Sequence, residues 1–209
     1  MSRKDYFLSC IGFLLNVFLF AQEANKKFNF VSMMEDIPKV GIYHINQDDD
    51  GFMWIATNGA GLYRYDGIDY NSYRYILNDS TSLSSSVVYC TFLDSKHRFW
   101  VGTEEGLNLY NQNNDQFLRI PNSKFEATYN KSISVRNIIE DKQGNIFVGT
   151  FGAGLFKITG DEILQVDKIQ SSKLNIDVPI TIEAIAIDND GKIYTGTNLG
   201  IQEYDSNKN

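Results

Sequence analysis

The sequence is poor in the residues that build covalent or metal-bound centres. Its 209 residues include two cysteines, two histidines and three prolines. A structural zinc site needs four clustered ligands, and small disulfide-stabilised domains are dense in cysteine. Neither pattern is present, because His44 and His97 stand in unrelated contexts and the cysteines are Cys10 and Cys90. We therefore expect no metal site and no cofactor.

An excess of positive charge is also missing. Nineteen lysines and arginines against 26 aspartates and glutamates give a formal net charge of −7. Nucleic acids and anionic lipid surfaces are usually bound through basic patches, so we expect neither partner. Nucleophile-elbow, zincin and phosphate-loop motifs are absent from the sequence. The adjacent acids Glu104 and Glu105 make a poor glycosidase pair, because neighbouring strand residues point in opposite directions.

The one long apolar run lies at the N terminus. Arg3 and Lys4 precede the run Tyr6–Phe20, and the small residue Ala21 follows it. This order is typical of a secretory signal peptide. The run has 15 residues, fewer than the ~20 of a membrane-spanning helix, which argues against the alternative of an uncleaved anchor. We predict a signal helix over residues 1–21, export to the periplasm or beyond, and no stable membrane span after cleavage.

One signature recurs four times in the remainder of the chain. Each copy has an acidic residue, a turn, an aromatic strand that ends in threonine, and a glycine followed by an aliphatic residue. The aromatic residues are Trp54, Trp100, Phe147 and Tyr194, which are 46, 47 and 47 residues apart. The acids six positions earlier are Asp48, Asp94, Asp141 and Asp188. A repeat of this period indicates one supersecondary unit stacked on copies of itself.

Each repeat predicts antiparallel strands, and helical periodicity is absent after the N-terminal run. An apolar strand leads through an Asp-, Asn- or Gly-rich turn to the aromatic strand, and a third and a weaker fourth strand follow. Four antiparallel strands make one blade of a β-propeller. We predict an all-β propeller within residues 22–209, with blades at about 40–75, 86–120, 133–169 and 180–204.

The sequence does not determine whether the four blades close into a ring. The fourth repeat stops after three strands, and an orphan strand at 28–32 precedes the first repeat. The orphan strand could supply the missing outer strand and so remove an exposed sheet edge. The four blades form either a closed ring or an incomplete arc of a larger propeller, and an open arc would expose an apolar blade face.

Residues that are the same in every repeat are expected to serve packing. Each of the four aromatic rings can bury ~150–250 Å² between neighbouring blades, and stacking on sugars is the alternative. Cys90 lies in an apolar strand and is expected to be a buried hydrophobe. Turns such as Asp48–Gly51 lack the bidentate glutamate of a calcium loop, so turn formation explains them.

Positions that differ between the repeats are the candidates for ligand binding. The candidates on the first strands are Tyr43, Tyr89, Arg136 and Glu183. The candidates in the turns between second and third strands are Asn58, Glu104, Phe151 and Asn198. They mix stacking and hydrogen-bonding groups, and on a propeller they would ring one mouth of the central channel. Ordinary surface variation is the alternative explanation.

The segment 88–110 closely resembles the two-component regulator propeller repeat, and the segment 50–67 matches equally well. The four copies together cover residues 28–209. In that family the repeats form the periplasmic sensor of hybrid two-component histidine kinases, whose ligands are typically breakdown products of polysaccharides. The resemblance therefore implies a sensor module with an oligosaccharide ligand and no catalysis, because kinase motifs are absent from this sequence.

Two other interpretations remain at this point. The chain could be a truncated, purely structural or protein-interaction propeller, with downstream sensor domains or a second copy as its partner. It could also be a carbohydrate-active propeller enzyme, which would need a convergent pair of acids near the axis.

Overall fold

The computed structural model describes residues 38–125, 133–169 and 179–205. The predicted signal peptide at 1–21 and the orphan strand at 28–32 lie outside these described residues. Within the ranges that are described, no helix is long and apolar enough to cross a membrane. The strands belong to one compact unit, Met34–Asn209.

Four antiparallel sheets follow one another along the chain. Blade 1 contains β1 (Ile42–Gln47), β2 (Met53–Thr57), β3 (Leu62–Tyr65) and β4 (Tyr70–Tyr73). Blade 2 contains β5 (Val88–Leu93), β6 (Phe99–Thr103), β7 (Gly106–Asn111) and β8 (Gln116–Arg119), followed by a 3₁₀ turn at Asn122–Lys124. Blade 3 contains β9 (Ser134–Glu140), β10 (Ile146–Phe151), β11 (Leu155–Thr159) and β12 (Gln165–Ile169). Blade 4 contains β13 (Ile182–Ile187), β14 (Lys192–Thr197) and β15 (Gly200–Asp205).

Within each blade the strands pair in chain order, so every blade is a simple meander. The all-β fold of blades is therefore confirmed. Three of the turns between first and second strands contain a glycine with positive φ: Gly51, Gly144 and Gly191. In blade 2 His97 takes this conformation with a φ of 62°, which costs a non-glycine residue more than it costs glycine.

The recurring acid explains the constant six-residue spacing to the aromatic residue. Asp48 Oδ1 accepts hydrogen bonds from the backbone N–H of Asp50 and Phe52, which closes the turn. Its Oδ2 accepts the indole N–H of Trp54 at 2.7 Å. Asp94 does the same for Trp100 at 2.8 Å. One carboxylate thus fixes both the hairpin turn and the orientation of the aromatic ring.

The repeats of blades 3 and 4 keep the aspartate, but a different group donates a hydrogen bond to it. Phe147 has no polar hydrogen, and in blade 3 the side chain of Asn145 donates to Asp141 Oδ2 at 2.8 Å instead. In blade 4 the Tyr194 hydroxyl lies within hydrogen-bonding reach of Asp188. The acid is therefore retained for the turn, while the aromatic position tolerates rings with and without a donor.

The two faces of each blade have different roles, and we name them by their neighbours. The forward face carries the aromatic residue of the second strand and faces the next blade. The rear face carries an aliphatic residue at or next to the start of the inner strand, which is Ile42, Val88, Val135 or Ile182. Between blades 1 and 2, the forward residues Trp54 and Ala56 pack with the rear residues Val88 and Val101. The other two interfaces repeat this arrangement, with Trp100 beside Val135 and Phe147 beside Ile182.

Three of the four repeated aromatic residues pack between blades as expected. Trp54, Trp100 and Phe147 have 0% exposed surface. Tyr194 is only partly buried, because its ring lies on the forward face of blade 4 and the structure describes no fifth blade to cover it.

The described blades form an open arc. The inner strands contact in the order β1, β5, β9 and β13, and among the described strands β13 does not lie against β1 in the same way. The equivalent aliphatic residues near the start of the inner strands show the consequence of this open arc. Val88, Val135 and Ile182 are 0%, 0% and 1% exposed, whereas Ile42 is 50% exposed. The alternative of a four-bladed closed ring is therefore not what these blades form.

Candidate ligand-binding site at the inner strands

The four candidates on the first strands share one structural origin. Every inner strand has a β-bulge near its start, which follows the first paired residue in β1, β5 and β13 and the second in β9. The register shifts lie between Ile42 and His44, Val88 and Cys90, Val135 and Asn137, and Ile182 and Ala184. The unpaired residues at these bulges are Tyr43, Tyr89, Arg136 and Glu183. A bulge re-aims a side chain away from the regular alternation of a strand, which frees these positions from interblade packing.

Three of these residues and one turn residue form a continuous row that we call the mouth cluster: Tyr43, Tyr89, Arg136 and Phe151. The rings of Tyr43 and Tyr89 lie 5.2 Å apart between centroids. The Arg136 guanidinium lies 4.4 Å from the ring centroid of Tyr89 and 5.0 Å from that of Phe151. Stacking of this kind holds a guanidinium plane in place while leaving its N–H groups for other partners.

Arg136 retains unused hydrogen-bonding capacity. Its Nε atom is buried and has no hydrogen-bond partner in the described structure. A buried donor without a partner costs free energy, and such a group is expected to serve a purpose. Arg136 is the one cation in the cavity lining described next.

A cavity of about 600 Å³ runs along the inner strands of blades 1, 2 and 3. Its walls are the residues 43–47, 89–93 and 136–138. Volumes of this size hold small organic ligands. The mouth cluster contributes Tyr43, Tyr89 and Arg136 to this lining, so stacking surface and a cation meet at the same opening.

The remaining turn candidates are not part of this row. Asn58 and Glu104 are exposed, and their backbone N–H groups bond to Gly41 O at 2.8 Å and Val87 O at 3.0 Å. The Asn198 side chain is engaged with the backbone, since it accepts the N–H of Thr181 and donates to Pro179 O. These contacts tie each turn to the entry of its own inner strand.

Glu183 is exposed on β13. Among the described residues, the structure gives Glu183 no contact with the mouth cluster, and the cavity lining stops at blade 3.

The polar residues on the cavity wall that the sequence analysis missed include His44, Thr91 and Asn137. His44 Nδ1 lies 3.0 Å from Thr91 Oγ1 and also accepts the Thr91 backbone N–H at 3.3 Å. Asn137 donates its side-chain N–H to Ile182 O at 3.2 Å. His44 and Asn137 occupy the same position in their strands, directly after the bulge. The signal was available in the sequence as two polar residues at a position where blades 2 and 4 have Cys90 and Ala184.

Burial determines the protonation states of His44 and Cys90 on this wall. Burial lowers the pKa of His44 below its usual value, which favours the neutral ring that accepts the Thr91 N–H. Cys90, also on the wall, is 7% exposed, and burial raises the pKa of its thiol to about 12. A thiol with such a pKa is inert as a nucleophile at neutral pH, in line with its prediction as a core residue. Within the described residues no group of three acidic, histidine or cysteine side chains is placed to hold a metal ion.

Three of the four repeats match a known family. The two component regulator propeller family matches residues 36–59, 82–105 and 130–152. Each match spans an inner strand, the acid-containing turn and the aromatic strand, the same parts that carry the recurring signature.

A curated relative from Formosa agariphila, named histidine kinase P4, is 26% identical over 171 residues. The match covers 79% of this chain and 12% of the relative. The chain therefore spans only about one eighth of the length of the curated relative that it matches.

Solved structures show the same fold. The extracellular domain of the one-component system BT4673 from B. thetaiotaomicron aligns with a TM-score of 0.66 and 21% identity, over 88% of this chain and 26% of that one. The extracellular domain of the hybrid two-component system BT3049 from the same organism aligns with a TM-score of 0.64 and 20% identity, over 86% of this chain and 24% of that one. Virginiamycin B lyase from Staphylococcus aureus, solved with quinupristin, aligns with a TM-score of 0.55 and 14% identity, over 88% of this chain and 60% of that one.

Each of the three matched segments contains a bulged inner strand and a turn closed by an aspartate. The chain folds into blades of a β-propeller, and three of its four repeats match the two component regulator propeller family.

Proposed function

We propose that this chain is the ligand-sensing part of an exported two-component sensor, and that it binds an oligosaccharide at the mouth cluster without changing it chemically. The supporting observation is the row Tyr43, Tyr89, Arg136 and Phe151 at the opening of the cavity. Aromatic faces stack on sugar rings, and a guanidinium donates hydrogen bonds to hydroxyl or carboxylate oxygens.

The proposal keeps Asn58, Glu104, Asn198 and Glu183 as further candidate contacts, because they hold the positions in their own repeats that the mouth-cluster residues hold in theirs. Arg136 is the main anchor in the proposal because it is the one cation in the cavity lining. Export through the N-terminal segment 1–21 is part of the same proposal and agrees with neighbours that are extracellular domains.

We propose binding without catalysis because of the positions of the acidic residues. The cavity lining contains no aspartate or glutamate among the described residues. Glycoside hydrolysis needs two carboxylates about 5–9.5 Å apart on either side of the bond. Recognition in this site would therefore rest on stacking and hydrogen bonds, and the histidine kinase activity named for the longer relative would require parts beyond these blades.

The test is isothermal titration calorimetry with a panel of neutral and uronic-acid-containing oligosaccharides. We expect at least one member to bind, and Arg136→Gln to weaken that binding about tenfold or more, because a charge-assisted hydrogen bond is lost. Lys142→Gln is the matched control, since it removes one cation from an exposed turn outside the cavity lining.

Two outcomes would contradict the proposal. Silence across the panel would favour the structural or protein-interaction alternative. Release of shorter sugars on prolonged incubation, measured by chromatography, would contradict binding without catalysis.

A further inference from the structure

Arg136 differs from every other arginine that the structure describes. Arg64 and Arg98 each form an ion pair with an aspartate. Arg74 and Arg119 each donate a hydrogen bond to an oxygen of another residue. Among the described residues, Arg136 has neither an ion pair nor a hydrogen-bond acceptor. Its charge is therefore available to a ligand, whereas the other four are already used within the protein.

The part of Arg136 that a ligand can reach is the pair of terminal nitrogens. The Nε atom is fully buried, so a ligand cannot contact it. The Nη1 and Nη2 atoms also have no acceptor within the part of the chain that the structure describes and, unlike Nε, neither is fully buried. The N–H groups of a guanidinium lie in one plane, so the two Nη atoms present parallel donors at the end of the side chain.

Aromatic rings hold this guanidinium in place. The rings of Tyr89 and Phe151 both contact it, and Tyr43 packs against Tyr89 in turn. A cation–π contact uses the face of the guanidinium, whereas its hydrogen bonds leave from the edge. The rings therefore fix the plane of Arg136 without using its donors, and a ligand would approach through hydrogen bonds in that plane.

The charges around Arg136 favour an anion. The acidic candidates Glu104 and Glu183 lie outside the cavity lining, and the described residues of the lining include no other acid. The imidazole of His44 in the lining is kept neutral, because burial lowers its pKa and its Nδ1 accepts the Thr91 backbone N–H. The lining thus carries one positive charge and no negative charge, in a chain with a formal net charge of −7. A local charge of this kind attracts ligands of the opposite sign.

We propose that the ligand of this site is an acidic oligosaccharide, and that the carboxylate of a uronic acid residue pairs end-on with both Nη atoms of Arg136. This inference rests on the proposed function, because it names the charge of the ligand that the mouth cluster would bind. Each oxygen of the planar carboxylate accepts one of the two parallel N–H groups. Bidentate pairs of this kind are short, strong and selective for geometry. Tyr89 and Phe151 act as positioning residues for the guanidinium.

The first experiment compares acidic and neutral trisaccharides of the same linkage by isothermal titration calorimetry. The probes are the galacturonate, glucuronate and mannuronate trisaccharides, each beside its carboxyl-reduced form, together with a galactose trisaccharide that carries a sulfate ester. We expect at least one uronate trisaccharide to bind about tenfold or more tightly than its reduced form, because a charge-assisted pair is absent from the latter.

Variants of Arg136 show whether this residue causes the preference for the acid. Arg136→Gln should bring the ratio of the two affinities to about one, since the charge is gone. Lys142→Gln should leave the ratio unchanged, because Lys142 lies in an exposed turn outside the cavity lining. Circular dichroism confirms that each variant is folded.

Two further variants test the end-on geometry. Arg136→Lys keeps the charge and loses the planar pair of donors, so we expect a ratio between those of the wild type and Arg136→Gln. Phe151→Leu removes one positioning ring at a site that is 55% exposed, and it should lower the ratio as well. A purely structural role of Phe151 would leave the ratio unchanged. An undiminished ratio in either variant would contradict the pairing through a fixed guanidinium plane.

Four results would overturn the inference, and they differ in what they mean for the proposed function. Equal or tighter binding of the reduced trisaccharides would leave oligosaccharide binding intact and exclude an acidic ligand. Tighter binding of the sulfated trisaccharide than of any uronate would exclude the carboxylate. An acid preference that survives Arg136→Gln would exclude Arg136 as its partner. Absence of binding by every trisaccharide would count against oligosaccharide binding itself.

Discussion

The inner and terminal blades of this molecule have the same sequence pattern and different surroundings. Val135 on blade 3 and Ile42 on blade 1 hold the same register, yet Val135 is fully buried and Ile42 is half exposed. Trp100 and Tyr194 differ in the same manner, because among the described residues a following blade covers the ring of Trp100 and none covers that of Tyr194. The comparison shows that a repeat determines its own hairpins, while its neighbours determine what the repeat buries.

The largest expected difference is between two isoleucines at the same register. Ile182→Ala removes a side chain that is 1% exposed between blades 3 and 4, and we expect a loss of about 2–5 kcal/mol in the free energy of unfolding. Ile42→Ala should cost about 0.5 kcal/mol or less, since surface changes rarely cost more.

Urea unfolding followed by tryptophan fluorescence measures both values. Equal losses for the two variants would mean that Ile42 is buried within the single chain, which would contradict the open arc.

A smaller difference is expected between two of the recurring acids. The Asp94 side chain has 0% exposure and accepts both Arg98 Nε and the Trp100 indole N–H on Oδ2. Asp94→Asn would place an amide N–H₂ opposite these two donors, and a buried unmade hydrogen bond costs about 1–3 kcal/mol. Asp188→Asn should cost less, because the Tyr194 hydroxyl near Asp188 can rotate to accept a hydrogen bond.

The same urea titration compares the two asparagine variants. A change in native-state Trp100 fluorescence between the wild type and Asp94→Asn provides a second readout. A larger loss of unfolding free energy from Asp188→Asn than from Asp94→Asn would contradict the prediction that the cost grows with the burial of the aspartate and of the donors it accepts.

The smallest effect is the pH dependence of the two histidines, which both join blade 1 to blade 2. His97 is in contact with Asp49, and that hydrogen bond raises the pKa of His97. Its contribution to stability is complete below the unfolded pKa of ~6.5 and is lost as the pH rises through the higher folded pKa. Burial lowers the pKa of His44, so its contribution is present above ~6.5 and is lost as the pH falls through the folded pKa.

NMR titration of the two imidazole rings measures this contrast, and we expect His97 to titrate at a higher pH than His44. Asp49→Asn should return His97 toward the ordinary value and leave His44 unchanged. The opposite order of the two pKa values would contradict the burial and the contact on which the prediction rests.

The candidate site illustrates how far sequence patterns reach. Repeat-breaking positions selected Tyr43, Tyr89 and Arg136, and the structure assigns all of them to β-bulges. The contacts that join them with Phe151 could not be predicted, since they depend on the rotation of one blade relative to the next. His44 was missed because a lone polar residue in a strand gives no signal of the Thr91 that binds it from another blade.

The sequence by itself determined the hairpins of each blade, because the acid, the turn glycine and the aromatic residue act within a few residues of one another. It also determined which faces are apolar, since strand alternation assigns each side chain to a face. Only the tertiary structure decided that four blades leave an open arc. Small rotations between packed sheets add up over the described blades, and no local sequence pattern specifies the total rotation.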